Sequence, residues 1–205
     1  MRIKKEKVSK SNSATYIAEC ALFVALMAAA AFIKIPAPLV PLTFQTVVSV
    51  LAGLLLGPVK GAVSMAVYCL GGLAGIPMFS AGGGIFYVLK PSFGYILGFI
   101  ASAAVAGLIS SKPKLPFWRY LLGAFAAFLT DYVIGIPYCI IAAHLLGVED
   151  LVNLLIVGNL IYMPKDAILT FVAAVIARQA LPVISRGRKR IKKTGAPVKE
   201  DAPEK

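Results

Sequence analysis

Residues 71–99 read GGLAGIPMFSAGGGIFYVLKPSFGYILGF, a glycine-rich and aromatic stretch set between two long apolar runs. Its composition makes a poor core and a good cavity wall. Glycine permits positive φ and a close approach to the main chain, and Tyr and Phe supply flat apolar surfaces. In a bilayer, irregular backbone survives only where protein or an internal cavity satisfies its polar groups, so the stretch points to a binding pocket inside a membrane protein.

The rest of the chain agrees with that setting. Of 205 residues, 59% are hydrophobic and 15% charged, and the mean hydropathy is +0.84. Such a composition belongs to an integral membrane protein. The formal net charge of +12 is concentrated at the two ends, from Arg2 to Lys10 and from Arg186 to Lys199. Both clusters abut apolar spans, so they set topology and meet anionic lipid, and no aromatic-interleaved basic face accompanies them that would read as a nucleic-acid surface. The basic start followed by an apolar run resembles a secretory signal, but residues 16–33 are long enough to remain as a span. Cys20, Cys69 and Cys139 are widely spaced within apolar runs and read as packing residues, not as a disulfide framework or metal site.

Apolar runs and their punctuation predict an all-α, polytopic six-helix bundle, with helices over 15–33, 43–56, 60–75, 91–110, 117–146 and 164–183. The glycine-rich stretch is the irregular loop that lines its ligand cavity. The second and third runs are short for a full crossing and are expected either to pack inside the bundle or to cross incompletely. Pro137 predicts a kink in the fifth. An even number of spans with basic residues at both ends places both termini in the cytoplasm, with Lys60, Lys112, Lys114 and Arg119 inside and Glu149 and Asp150 outside. The organisation is then a basic segment 1–14, a six-helix domain 15–183 and a basic, disordered tail 184–205. The apolar segment 150–163 is too short to cross and is expected to lie at the outer interface or to fold over the bundle.

Few ionisable residues fall at depth, and each needs a reason. Asp166, after Pro164 and Lys165, suits the first turn of a helix, where the dipole favours a carboxylate. The same residue could equally accept hydrogen bonds from ligand N–H groups, with Lys165 or Lys90 meeting a ligand anion. Asp131 sits mid-span and reads as a local tertiary contact or a ligand group. Gln45, between flanking Thr43 and Thr46, either faces a pocket or begins a helix capped by Thr43. His144 reads as an interfacial side chain. Nothing assembles into a metal cluster or a nucleophile with its base, so no catalytic residue is assigned. The alanines at 21, 25 and 29 form a stripe of small residues suited to close helix approach. No P-loop sequence is present, so ATP chemistry would belong to other subunits.

PLTFQTVVSVLAGLLLGPVKG (41–61), GGLAGIPMFSAGGG (71–84), PSFGYILGF (91–99) and MPKDAIL (163–169) resemble, in that order, the BioY family of biotin-specific S-components of energy-coupling factor transporters. The resemblance spans roughly 15–183. It implies a substrate-binding subunit in the cell membrane of a prokaryote, not an enzyme and without a cofactor of its own. Such a subunit captures biotin from outside and works with a transmembrane coupling protein and two cytoplasmic ATPases. It implies that Gly83, Gly84, Tyr87 and Tyr95 wall the biotin ring and thioether chain, and that Ala21, Ala25 and Ala29 meet the coupling protein. The family carries an aspartate followed three residues later by a lysine. Asp166 matches, but position 169 is Leu169, and Lys165 lies about 100° round the helix from Asp166. Lys165, Lys90 or another group is left to hold the anionic end. The other readings are an S-component for a different vitamin and an intramembrane acyl or lipid transferase.

Overall fold

Gly57 and Pro58 show how punctuation becomes architecture. Gly57 adopts φ +92°, ends one helix and starts the next, with Pro58 at a first-turn position where its missing N–H costs nothing. The computed structural model describes residues 10–35, 40–148, 150 and 162–194. Over these run α1 (Lys10–Phe32), a two-residue hairpin of β1 (Lys34–Ile35) and β2 (Leu42–Thr43), and α2 (Gln45–Leu56). They are followed by α3 (Pro58–Leu73), a 3₁₀ turn (Ile85–Leu89), α4 (Phe93–Ser110), α5 (Phe117–Leu145) and α6 (Met163–Thr194). The strands pair antiparallel, Lys34 with Thr43 and Ile35 with Leu42. All six expected helices are present. Residues 1–9, Pro36, Pro38, Glu149, most of the apolar segment 150–163 and the tail beyond Thr194 lie outside the described residues.

Four helices are long and apolar enough to cross a bilayer, while Gln45–Leu56 and Pro58–Leu73 are shorter. The chain is a multi-pass membrane protein. Of the two short helices, α3 leaves Val59, Val63, Val67 and Leu70 exposed, whereas α2 is enclosed and touches every other helix. Small residues permit this. A Cβ on Gly53 would overlap the Ala103 carbonyl and stand 2.7 Å from Ala106 Cβ, and one on Gly107 would stand 2.6 Å from Pro58 Cα, so α4 lies almost backbone to backbone on α2 and its turn. Around α2, α4, α5 and α6 the packed layer is largely alanine, with Ala124, Ala127, Ala173, Ala174 and Ala177. Nearer the cavity it is aromatic, with Phe79, Tyr87, Phe93 and Phe99. Outward, Leu22, Leu108, Leu129 and Ile168 are exposed, the surface that meets hydrocarbon.

One local expectation changes. The last helix does not stop near 183 but continues through Pro182 to Thr194. Its extension is held from a distance, since Arg188 Nε donates to Glu19 Oε1 at 2.6 Å and Nη2 to the Leu55 carbonyl at 3.5 Å. Glu19 also receives Lys60 at 2.8 Å, so α1, α3 and α6 converge on one carboxylate. The fifth helix is a single element from Phe117 to Leu145 with Pro137 inside it.

Candidate functional site

The chain direction alternates from helix to helix, so the start of α2, the start of α4, the second half of α5 and the start of α6 meet at one end of the bundle. There they enclose a cavity of about 550 Å³, counting its open mouth, lined by Thr43, Gln45, Thr46, Ser80, Tyr87, Ser92, Tyr95, Ile96, Phe99, Tyr132, Lys165 and Asp166, with Val40, Pro41 and Tyr162 at its edge.

The polar wall stands on α5 and α6. Asp166, 6% exposed, accepts a hydrogen bond from the Tyr132 hydroxyl at Oδ2, 2.7 Å. Its Oδ1 lies 2.6 Å from Lys165 Nζ. That contact is an ion pair without hydrogen-bond alignment, and Oδ1 has no aligned donor among the described residues. Lys165 turns its remaining capacity to the Thr43 carbonyl, 2.6 Å away, fastening α6 to the hairpin. Adjacent residues diverge around a helix, but at the first turn a four-carbon stem is long enough to bend back onto its neighbour. Gln45 is buried and donates from Nε2 to the Tyr68 hydroxyl at 2.7 Å, which in turn donates to the Met78 carbonyl at 2.9 Å. Thr43 Oγ1 accepts from the Gln45 N–H at 3.4 Å, but the cap position of the helix is Phe44, which makes no side-chain cap hydrogen bond.

The opposite chemistry is aromatic. Tyr87, 3% exposed, packs at 4.5 Å between centroids on Phe79, and its hydroxyl is 3.1 Å from Ser80 Oγ. Tyr95 stands edge-on to Tyr132 at 5.7 Å. Its ring fits because Gly135 faces it on α5. A cavity lined by a carboxylate, an amide and hydroxyl groups together with flat rings accepts a ligand that is itself part heterocycle and part hydrocarbon.

Five residues singled out from the sequence therefore line the cavity: Gln45, Tyr87, Tyr95, Lys165 and Asp166. Gly83 and Gly84 stand behind it, against the end of α3. A Cβ on Gly83 would overlap the Ile76 carbonyl, and Gly84, at φ +105°, donates its N–H to the Gly72 carbonyl at 2.7 Å. Lys90 lies outside the lining, its Nζ 3.2 Å from the Ala81 carbonyl and 4.8 Å from the Tyr87 ring centroid. Asp131 is fully buried next to the site; its Oδ2 accepts from the Thr46 hydroxyl at 3.5 Å. Ala21, Ala25 and Ala29 are exposed along α1. Sequence reading passed over Ser80, Ser92, Tyr132 and the two apolar residues of α4. Tyr132 carried a usable signal, a phenol beside a mid-span acid, whereas Ser80 and Ser92 look like ordinary turn residues.

The helical bundle is similar to that of a solved protein described as the S-component for biotin from an ECF-type ABC transporter. The two share a fold, with a TM-score of 0.64 at 23% identity over 84% of this chain and 94% of the other. Residues 4–186 match the BioY family model, and the chain belongs to the BioY family. It is 36% identical over 182 residues to a protein of Lysinibacillus sphaericus named "Probable biotin transporter BioY", covering 87% of this chain and 93% of that one. A Thermotoga maritima protein named "Biotin transporter BioY" is 33% identical, covering 76% of this chain and 89% of its own length.

Proposed function

We propose that this chain is the biotin-binding membrane subunit of an energy-coupling factor transporter. It takes biotin from outside the cell and passes it inward together with a transmembrane coupling protein and two ATPase subunits. It is a transport subunit and not an enzyme, and ATP acts only through its partners. The observation that carries the reading is the Asp166 carboxylate, buried at the wall of an aromatic cavity, with Tyr132 on one oxygen and, among the described residues, the Lys165 ion pair but no aligned donor on the other. A cyclic urea presents N–H donors to such a carboxylate, and its fused apolar ring fits the walls. The names of the relatives, biotin transporters in two organisms, point the same way.

The cavity end faces outward and both termini face the cytoplasm, where their lysines and arginines meet anionic lipid. The exposed stripe of Ala21, Ala25 and Ala29 is the surface for the coupling protein, because small side chains let another helix approach closely. Gln45, Tyr87, Tyr95, Lys165 and Asp166 contact the ligand, while Gly83 and Gly84 shape the loop behind Tyr87.

Mass spectrometry of small molecules released from the purified protein tests this directly. Biotin at stoichiometric occupancy is the expected result. A different vitamin at that occupancy would overturn the biotin assignment while keeping the transport class.

A further inference from the structure

Three lysines gather at the cavity end, and each ammonium donates to a backbone carbonyl: Lys34 to Ser80, Lys90 to Ala81 and Lys165 to Thr43. Only Lys165 also pairs with a carboxylate, Asp166, and that pair has no net charge. Lys90 makes its bond on the exposed side of the α3–α4 connection, to a residue that does not line the cavity. Lys34 is itself exposed and not among the lining residues, but its partners belong to the site. Its acceptor belongs to Ser80, 7% exposed and part of the lining, and its strand partner is Thr43, which also lines the cavity. Among the described residues, Lys34 has no carboxylate partner.

We infer that Lys34 receives the carboxylate of the ligand at the cavity mouth, the task left open by Leu169. This rests on the biotin reading above. An ammonium has three donors, and a neutral carbonyl occupies one of them. A ligand carboxylate arriving beside Ser80 makes short, charge-assisted bonds that the carbonyl does not match. The ligand then lies with its urea toward Asp166 and Tyr132, its ring and chain along Tyr87, Tyr95 and Phe99, and its acid toward Lys34. Lys165 is left to Asp166, which it already neutralises. Position 34 also fastens the hairpin to the α3–α4 connection, so the anion would be held where two mouth segments meet.

The test compares biotin with biotinol, which replaces the acid by a neutral alcohol, on the full-length protein in nanodiscs. Affinities are measured for the native chain and for Lys34→Met, Lys34→Arg and Lys90→Met. The native protein should prefer biotin by about 10- to 100-fold, the range of a charge-assisted bond. Lys34→Met should bind biotinol as the native protein does and lose the preference, Lys34→Arg should restore much of it, and Lys90→Met should keep it. The inference fails if Lys34→Met retains the preference, if Lys34→Arg does not restore it, if Lys90→Met abolishes it, or if the native protein binds both ligands equally. That last outcome leaves the biotin reading intact. Binding of neither ligand by the native protein would overturn the biotin reading itself.

Discussion

Asp166 gathers more of the site's chemistry than any other residue. It stands at the first turn of α6, where the helix dipole favours a negative charge, and it is flanked by a cation and a phenol. Asp166→Asn keeps the shape and removes the charge, so biotin binding should weaken by about 1 to 3 kcal/mol, the worth of a charge-assisted bond at a buried site. Tyr132→Phe removes only the hydroxyl that orients the carboxylate, and should weaken binding by about 1 kcal/mol. Isothermal titration of both variants checks the order; equal affinity for Asp166→Asn and the native chain would take Asp166 out of the pocket. Much of this residue-scale detail was legible. Asp166 and Gln45 stand out because a polar group at membrane depth requires a reason. Ser80 and Lys34 do not stand out, since a serine or lysine in a connection is ordinary until folding brings position 34 to position 80.

At the scale of elements, α1 is unusual in what it leaves uncovered. Met27 and Ala31 are fully buried, while Ala21, Ala25 and Ala29 face away from the bundle. Ala25→Leu should leave biotin affinity unchanged, yet sharply reduce uptake in cells that supply the coupling protein and ATPases. Normal uptake by that variant would move the docking surface elsewhere. The helices themselves follow from apolar runs, and Gly57–Pro58 marks one boundary to the residue. The end of α6 was misjudged for a physical reason. Residues 184–194 are basic and look like a tail, but Arg188 is anchored by a carboxylate whose position no local pattern reveals. Gly53 counts in the sequence only as part of a family-like string and Gly107 does not stand out at all, because their packing role depends on which helices cross there.

Over the whole molecule, polarity is divided between two ends. One end holds the cavity and its lysines, and the other is closed by Glu19 with Lys60 and Arg188. The side chains of this cluster are 18% to 31% exposed, between a surface pair and a buried one. Glu19→Gln should therefore destabilise the fold by about 1 to 3 kcal/mol. Thermal unfolding in detergent measures the loss. Lys60→Met should cost less, because Arg188 still neutralises Glu19, and a larger loss for Lys60→Met would show that Arg188 contributes little. Neither substitution is expected to change biotin affinity, since the cavity is lined by other residues.

The Glu19 cluster also carries an order in time. Its acid and its second cation are 169 residues apart. At about 5 to 20 residues per second, a ribosome needs on the order of ten to thirty seconds to make the chain between them. During that interval the newborn first helix has only Lys60 to quiet its acid, and the subunit is fastened shut only when the final helix arrives.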